Sequence, residues 1–205
     1  LGNPWKDLDL TSTLKPDEIQ ELFPRAIPTG VQYGTVTVRT NDSDLKFEIT
    51  TLRSEGSYGD GRRPDEVSFG NSLKEDLSRR DFTINAMAID LSRNILHDPY
   101  EGQTDLEGKI LKAVGVAEER LGEDGLRLLR AYRFMDRGTR GIWQPDDELS
   151  KALLSCGKML ENVSEERVWS EFRRVLEGSN AAEILERMRK DGMLSRILPG
   201  WDAHI

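Results

Sequence analysis

The stretch Glu123-Asp124-Gly125-Leu126-Arg127-Leu128-Leu129-Arg130-Ala131-Tyr132-Arg133-Phe134 decides how the chain is read. Its apolar residues recur at three- and four-residue steps, the period of a helix with one buried face. The same period spans residues 118–137 and returns over 147–160, 165–176 and 181–190, with connectors containing Gly178 and Gly192 between the last of them. Upstream the period drops to two. Leu8 and Leu10 alternate with Asp7 and Asp9, which predicts a half-buried strand. Residues 33–40 and 45–53 are alternating, β-branched runs joined by Asn41-Asp42-Ser43-Asp44, which predicts a hairpin. Pro16 predicts a short helix reaching Phe23, and Ser72 followed by Glu75 predicts a capped helix running toward Arg80. A helix over 83–89 and short strands over 95–98 and 110–114 complete the pattern. The expected fold class is α+β: a small mixed or antiparallel sheet with helices over residues 1–114, then an all-α module over 115–205.

A chain of 205 residues, 37% hydrophobic and 32% charged, has the balance of a globular protein rather than a disordered one. No apolar run approaches the roughly 18 to 20 residues that span a bilayer, and the first thirty residues lack the pattern of a secretory signal. Cys156 is the single cysteine, so no internal disulfide forms, and a reducing, cytoplasmic setting is expected. Two histidines, His97 and His204, with that cysteine cannot build a zinc cage. A metal would be held by carboxylates, which selects magnesium or manganese. The net charge of −8 argues against a nucleic-acid partner until its distribution is considered, since twenty of the 29 cations are arginine. They cluster at Arg62/Arg63, Arg79/Arg80, Arg127/Arg130/Arg133 and Arg173/Arg174, and arginine suits bidentate phosphate and base contacts.

Three constellations can carry chemistry. Asp7 and Asp9, two residues apart on a strand, project from one face about 6 to 7 Å apart, where a divalent ion can be held; the plain alternative is two solvent-facing acids. Glu48, on the face opposite Phe47 and Ile49, could supply a third carboxylate or be an ordinary exposed residue. In Arg79-Arg80-Asp81-Phe82-Thr83-Ile84-Asn85-Ala86, arginine can grip phosphate oxygens and aspartate can accept from ribose hydroxyls, unless the cluster is a solvated helix end. On one helix, Asp124 and Arg127 would share a face, with Arg130 and Arg133 continuing at three-residue steps. Aspartate accepts from the exocyclic amino group of C or A and arginine donates to the adjacent ring nitrogen, so the pair reads those edges and rejects G and U. The alternative is a surface ion pair worth a few tenths of a kcal/mol.

Lys6-Asp7-Leu8-Asp9-Leu10, Gly34-Thr35-Val36-Thr37-Val38, Tyr58-x-Asp60-x-Arg62-Arg63-Pro64, the Arg79–Ala86 segment, Asp98-Pro99-Tyr100-x-Gly102, Glu123-Asp124-x-x-Arg127 and Ser164-x-Glu166-Arg167-x-x-x-Glu171-Phe172 follow one another in an order that resembles the class II tRNA nucleotidyltransferases, CCA-adding and A-adding enzymes with a polymerase-β nucleotidyltransferase head. The resemblance covers nearly the whole chain. It implies a head over residues 1–114 and a helical neck over 115–205 that selects the nucleotide. It makes Asp7 and Asp9 the metal-binding pair, with magnesium, or manganese, as the ion; Glu48, from its place on the strand face, is the candidate third catalytic carboxylate. Asp81 would contact the ribose, Arg80, Arg130 and Arg133 would contact phosphate or nucleotide, and Asn85 joins that set. Asp124 and Arg127 would be the protein template, residues 53–64 a flexible loop used in adding the terminal A, and residues 164–176 a helix supporting the neck. The implied reaction is addition of CMP and AMP, or of AMP alone, from CTP and ATP to the tRNA 3′ end. A poly(A) polymerase and a catalytically silent RNA-binding module of the same fold are the rivals. In the family a glycine-rich, triphosphate-binding segment precedes the position of Leu1, and body and tail domains follow, so a fragment is expected.

Overall fold

The structure, a computed structural model, describes residues 8–39, 46–53 and 69–200. Its described residues form two compact units that part between Arg79 and Arg80.

The first unit is built on a four-stranded sheet. Strands β1 (Asp9–Ser12), β2 (Ile27–Gly30), β3 (Thr35–Arg39) and β4 (Lys46–Thr51) are ordered β1-β4-β3-β2. β3 and β4 pair antiparallel, as their alternating sequences predict, while β1 lies parallel to β4. The turn expected at Asn41-Asp42-Ser43-Asp44 falls outside the described residues. The register puts Leu10 beside Ile49 and Ile49 beside Val36 on one face. Helix α1 (Pro16–Leu22) has Ile19 packed with Val36 and Val38, all three buried, flanked by Leu14, Ala26 and Ile49. Each such side chain contributes about 1.5–3 kcal/mol on burial. Since strand side chains alternate, the same register puts Asp9, Glu48 and Thr37 in one row on the opposite, polar face. Tyr33, predicted in the strand, lies instead in a 3₁₀ turn over Val31–Tyr33 that ends at Gly34 with φ of 81°. A side chain at Gly34 would be strained by that φ and would meet the Phe69 ring at 2.8 Å. Helix α2 (Leu73–Ser78) begins as predicted, with the Ser72 hydroxyl accepting from the Glu75 N–H at 3.3 Å.

The second unit opens with a departure from the expected helix over 83–89. Thr83–Asn85 is a single 3₁₀ turn, followed by β5 (Ala88–Asp90), which pairs with β6 (Ile95–His97). Phe82 and Ala113 bridge, and Thr83 donates its N–H to Lys112 O, so these residues are drawn into extended pairing that local helical spacing does not register. Helix α3 (Gly102–Gly108) packs where Gly102 meets Thr83: a Cβ there would lie 2.2 Å from the Thr83 carbonyl oxygen. The Asp98 carboxylate accepts the N–H groups of Gly102 and Gln103 at 2.7 and 2.9 Å and so starts the helix. We expect Gly102→Ala to lower stability by about 1–3 kcal/mol, the range of overpacking, seen as a fall in Tm of the transition; an unchanged Tm would mean the approach relaxes freely.

The strand expected over 110–114 is confined to β7 (Ile110–Leu111), paired with β8 (Gln144–Pro145). Beyond it the chain is helical: α4 (Ala117–Glu123), α5 (Leu126–Met135), α6 (Asp147–Ser155), α7 (Glu165–Leu176), α8 (Ala181–Lys190) and α9 (Met193–Ile197). The bounds of α7 and α8 coincide with the periodic stretches. The stretches over 118–137 and 147–160 do not remain single helices: the first breaks at Asp124-Gly125, and the second passes into a 3₁₀ turn over Gly157–Asn162. Leu121, Leu128, Leu129, Tyr132, Leu149, Phe172, Ile184 and Met188 form a continuous core with Phe82 and Leu111. Tyr132 is buried and donates its hydroxyl to Asp191 at 2.9 Å, tying α5 to the end of α8; burial, with the Asp191 charge, pushes its phenol well above the usual range.

Candidate active site

In the first unit the β1–β4 register makes Asp9 and Glu48 direct neighbours, although 39 positions separate them in sequence. Both are exposed, and among the described residues neither carries a hydrogen bond or an ion pair. Adjacent carboxylates repel unless a cation lies between them. Their chemistry, hard anionic oxygens open to solvent, fits a divalent ion of the magnesium class. Asp7 falls outside the described residues, and among those residues no group of three metal-ligating side chains is present.

In the second unit the buried Asp81 gathers two other predicted nucleotide-binding residues, Asn85 and Arg130, around its carboxylate. Its Oδ1 accepts the Phe82 N–H at 2.9 Å and the Asn85 side-chain amide at 3.1 Å, and its Oδ2 accepts Arg130 Nε at 2.7 Å, with a second Arg130 nitrogen in ion-pair contact at 2.5 Å. These three donors and the ion pair take up most of the roughly four acceptor sites of a carboxylate. Arg130 and Arg133, one turn apart on α5, flank the Phe134 ring at 5.3 and 4.3 Å from its centroid, while Phe82 meets it edge-on at 5.6 Å. Arg133 is held by the buried Glu171 of α7. The guanidiniums are thus fixed by carboxylates on other elements.

Asp124 and Arg127 do not share a helix face in the way the spacing suggests. Asp124 sits in the break between α4 and α5 with extended backbone (φ −149°, ψ 108°), and Gly125 after it allows a close approach to Met159, whose carbonyl oxygen would lie 2.2 Å from a Cβ. The Asp124 carboxylate accepts the Leu126 N–H at 3.0 Å and Arg167 of α7 at 2.7 Å. Arg127 pairs with Glu123, which also holds Arg120 at 2.7 Å, and donates to the Arg120 carbonyl at 2.8 Å. The local geometry therefore separates the two predicted template residues into two networks, each anchored from behind. The Glu123–Arg127 pair was visible as an i, i+4 spacing. Arg167 and Glu171, 43 and 38 positions from their partners, carry no local signal of these roles, although both lie in a motif read as neck support. If Asp124 reads a base edge, as the resemblance implies, Arg167→Ala lets its carboxylate swing and lowers the kcat/KM ratio of CTP to UTP roughly three- to tenfold, about 0.7–1.4 kcal/mol. An unchanged ratio would leave Arg167 with a packing role only. Residues 54–64 of the predicted flexible loop lie outside the described residues.

A family model described as "Poly A polymerase head domain" matches residues 1–112, and one described as "Probable RNA and SrmB- binding site of polymerase A" matches residues 144–205. A CCA-adding enzyme of Listeria monocytogenes serotype 4a is 43% identical over 200 residues, 98% of this chain and 49% of that protein. One of Lactobacillus delbrueckii subsp. bulgaricus is 40% identical over the same share of each. The chain spans about half the length of the curated relatives it matches. Among solved structures, the Bacillus stearothermophilus CCA-adding enzyme in complex with CTP is 33% identical with a TM-score of 0.82, over 94% of this chain and 45% of that one. A tRNA nucleotidyltransferase complexed with a primer tRNA and an incoming ATP analog is 31% identical with a TM-score of 0.78, over 97% and 56%. Among the described residues no helix is long and apolar enough to cross a membrane.

Proposed function

This chain belongs to the nucleotidyltransferase family of the poly A polymerase head domain and the CCA-adding enzymes, and we propose that the protein containing it adds CMP and AMP, or the terminal AMP, from CTP and ATP to the tRNA 3′ end. The observation that carries the reading is the pairing of Asp9 with Glu48 on the open, polar face of the sheet, in a chain whose relatives are CCA-adding enzymes along nearly its full length. Residues 1–114 act as the head and 115–205 as the neck that chooses the nucleotide. A lone buried cysteine is in keeping with a cytoplasmic protein.

Asp7 and Asp9, with Glu48 beside them, would hold magnesium. When bound, such an ion lowers the pKa of an attacking hydroxyl and neutralises charge on the leaving pyrophosphate. The chain's own residues supply positioning. Asp81 holds Arg130 and Asn85; a ribose hydroxyl that reaches Asp81 takes the place of one of its donors, and Asn85, the neutral side-chain donor, is the cheapest to exchange. Arg80, Arg130 and Arg133 meet phosphate or nucleotide. Asp124 accepts from the amino group of C or A and Arg127 donates to the ring nitrogen, while Arg167 and Glu123 fix them so that a wrong base leaves polar groups unpaired.

The test is incubation of the full-length protein with tRNA lacking its 3′ CCA and, separately, with an unrelated RNA, giving each nucleotide singly and together. Short, defined addition to tRNA alone is expected. Long adenylate tails on both RNAs would assign the protein to the poly(A) polymerases instead, and binding without extension would make it a silent RNA-binding module.

A further inference from the structure

We propose that the cleft where the C-terminal ends of α5 and α7 meet is a phosphate subsite for the backbone of an RNA strand, formed by Arg137, Arg174 and Ser179; this rests on the reading that the protein acts on an RNA end. The cleft has a volume of about 370 Å³, and Arg133, Arg137, Arg174, Ser179, Asp136 and Glu177 contribute to its wall. Its carboxylates are already engaged. Asp136 accepts the N–H groups of Gly138 and Asn180, each at 2.8 Å, and the Asn180 side-chain amide at 2.7 Å. Burial alone would push the Asp136 carboxyl up, but these donors hold it below its ordinary value. Glu177 is paired with Arg173 at 2.8 Å. Glu171, behind the wall, holds Arg133 and reaches Arg174 at only 3.5 Å.

Arg137 has no such partner among the described residues. Its guanidinium lies 4.6 Å from the centroid of the buried Trp143 ring and makes no side-chain hydrogen bond or ion pair there. Burial, and then the like charges of Arg140 and Arg133, push its pKa down. A guanidinium stays charged at neutral pH regardless. A half-buried cation beside like charges and without a carboxylate is short of an anion. The Ser179 hydroxyl, also without a hydrogen bond among the described residues, adds a neutral donor, and Arg174, more than half exposed, adds a second charge free to turn inward. Stacking on Trp143 pre-orients the planar fork, which matches two phosphate oxygens. Ten residues of nearly continuous helix separate Arg137 from Arg127, roughly 15 Å along the axis. A phosphate in the cleft and a base read at Arg127 are therefore different groups.

The test compares the full-length wild type with Arg137→Met, Arg137→Lys and Arg174→Gln. Equilibrium binding of a tRNA whose single-stranded 3′ end stops at CC is measured over a series of salt concentrations, with binding of Mg-CTP measured in parallel. We expect Arg137→Met and Arg174→Gln each to weaken RNA binding three- to tenfold and to reduce the slope of log K against log salt by roughly 0.7, the value for one phosphate contact on a single strand. Arg137→Lys should keep the slope, and Mg-CTP affinity should not change. Arg174→Gln guards against misfolding, because Arg174 is exposed and its removal leaves the Trp143 stack intact. RNA affinity and slope unchanged in both charge-removing variants would overturn the subsite while leaving the proposed function standing. Weaker Mg-CTP binding with unchanged RNA binding would overturn it in favour of the nucleotide's own phosphates. A wild type that binds no RNA would overturn subsite and function together.

Discussion

Asp9→Ala in the full-length protein is expected to reduce nucleotide transfer to below a few per cent of wild type at saturating magnesium, with fold and RNA affinity retained. Asp9 is exposed and has no hydrogen bond or ion pair among the described residues, so removing its carboxylate deprives the folded state of no contact, and the stability change should fall within about 0.5 kcal/mol. What is lost is one of the anionic oxygens available to a hard cation, next to Glu48 in the parallel register. A fall of more than about thirtyfold corresponds to roughly 2 kcal/mol or more of transition-state stabilisation, which a solvated acid with no role cannot supply. Asp9→Asn, which keeps the shape and removes the charge, should behave alike. Activity above a few per cent in either variant, with an unchanged circular dichroism spectrum, would remove Asp9 from the metal site.

The second large effect is on base choice. Asp124→Ala should lower kcat/KM for CTP and ATP by about 1–3 kcal/mol, the worth of one base-edge contact, or on the order of ten- to a hundredfold. UTP and GTP should lose much less, because a carboxylate facing their carbonyl gives them nothing. The geometry supplies a necessary control. Asp124 also accepts the Leu126 N–H and binds Arg167, so the variant will lose stability, about 1 kcal/mol for the hydrogen bond. That loss affects all four nucleotides equally and cancels in the ratio of CTP to UTP. A ratio that does not move would place base choice elsewhere, and the carboxylate would then be no more than the hydrogen bond and ion pair that hold the start of α5 against α7.

The start of α1, the bounds of α7 and α8, the β3–β4 pairing and the start of α2 were readable from sequence because each depends on neighbours a few residues apart: a proline at a first turn, a capping serine, an apolar step of three or four, a strict alternation. The period also exposed Asp124, Arg127, Arg130 and Arg133 as a set. It did not expose the break at Asp124-Gly125, since apolar residues on both sides of it continue to point at one core and keep the helical step. Nor did it show that Thr83–Asn85 would leave the helix, because the Phe82–Ala113 bridge and the Thr83–Lys112 hydrogen bond come from residues about thirty positions away. The same limit governs the candidate site. Sequence named Asp9 and Glu48 as carboxylates on strand faces, but only the parallel pairing of β1 with β4 makes them neighbours. It named Arg130, Arg133 and Asp124, but Asp81, Glu171 and Arg167, which hold them, are brought in by packing over 49, 38 and 43 residues. Local spacing determines which side chains share a strand or a helix. Which charge meets which is decided by burial, since a guanidinium or carboxylate taken partly out of water must find its counter-ion wherever the core has placed one.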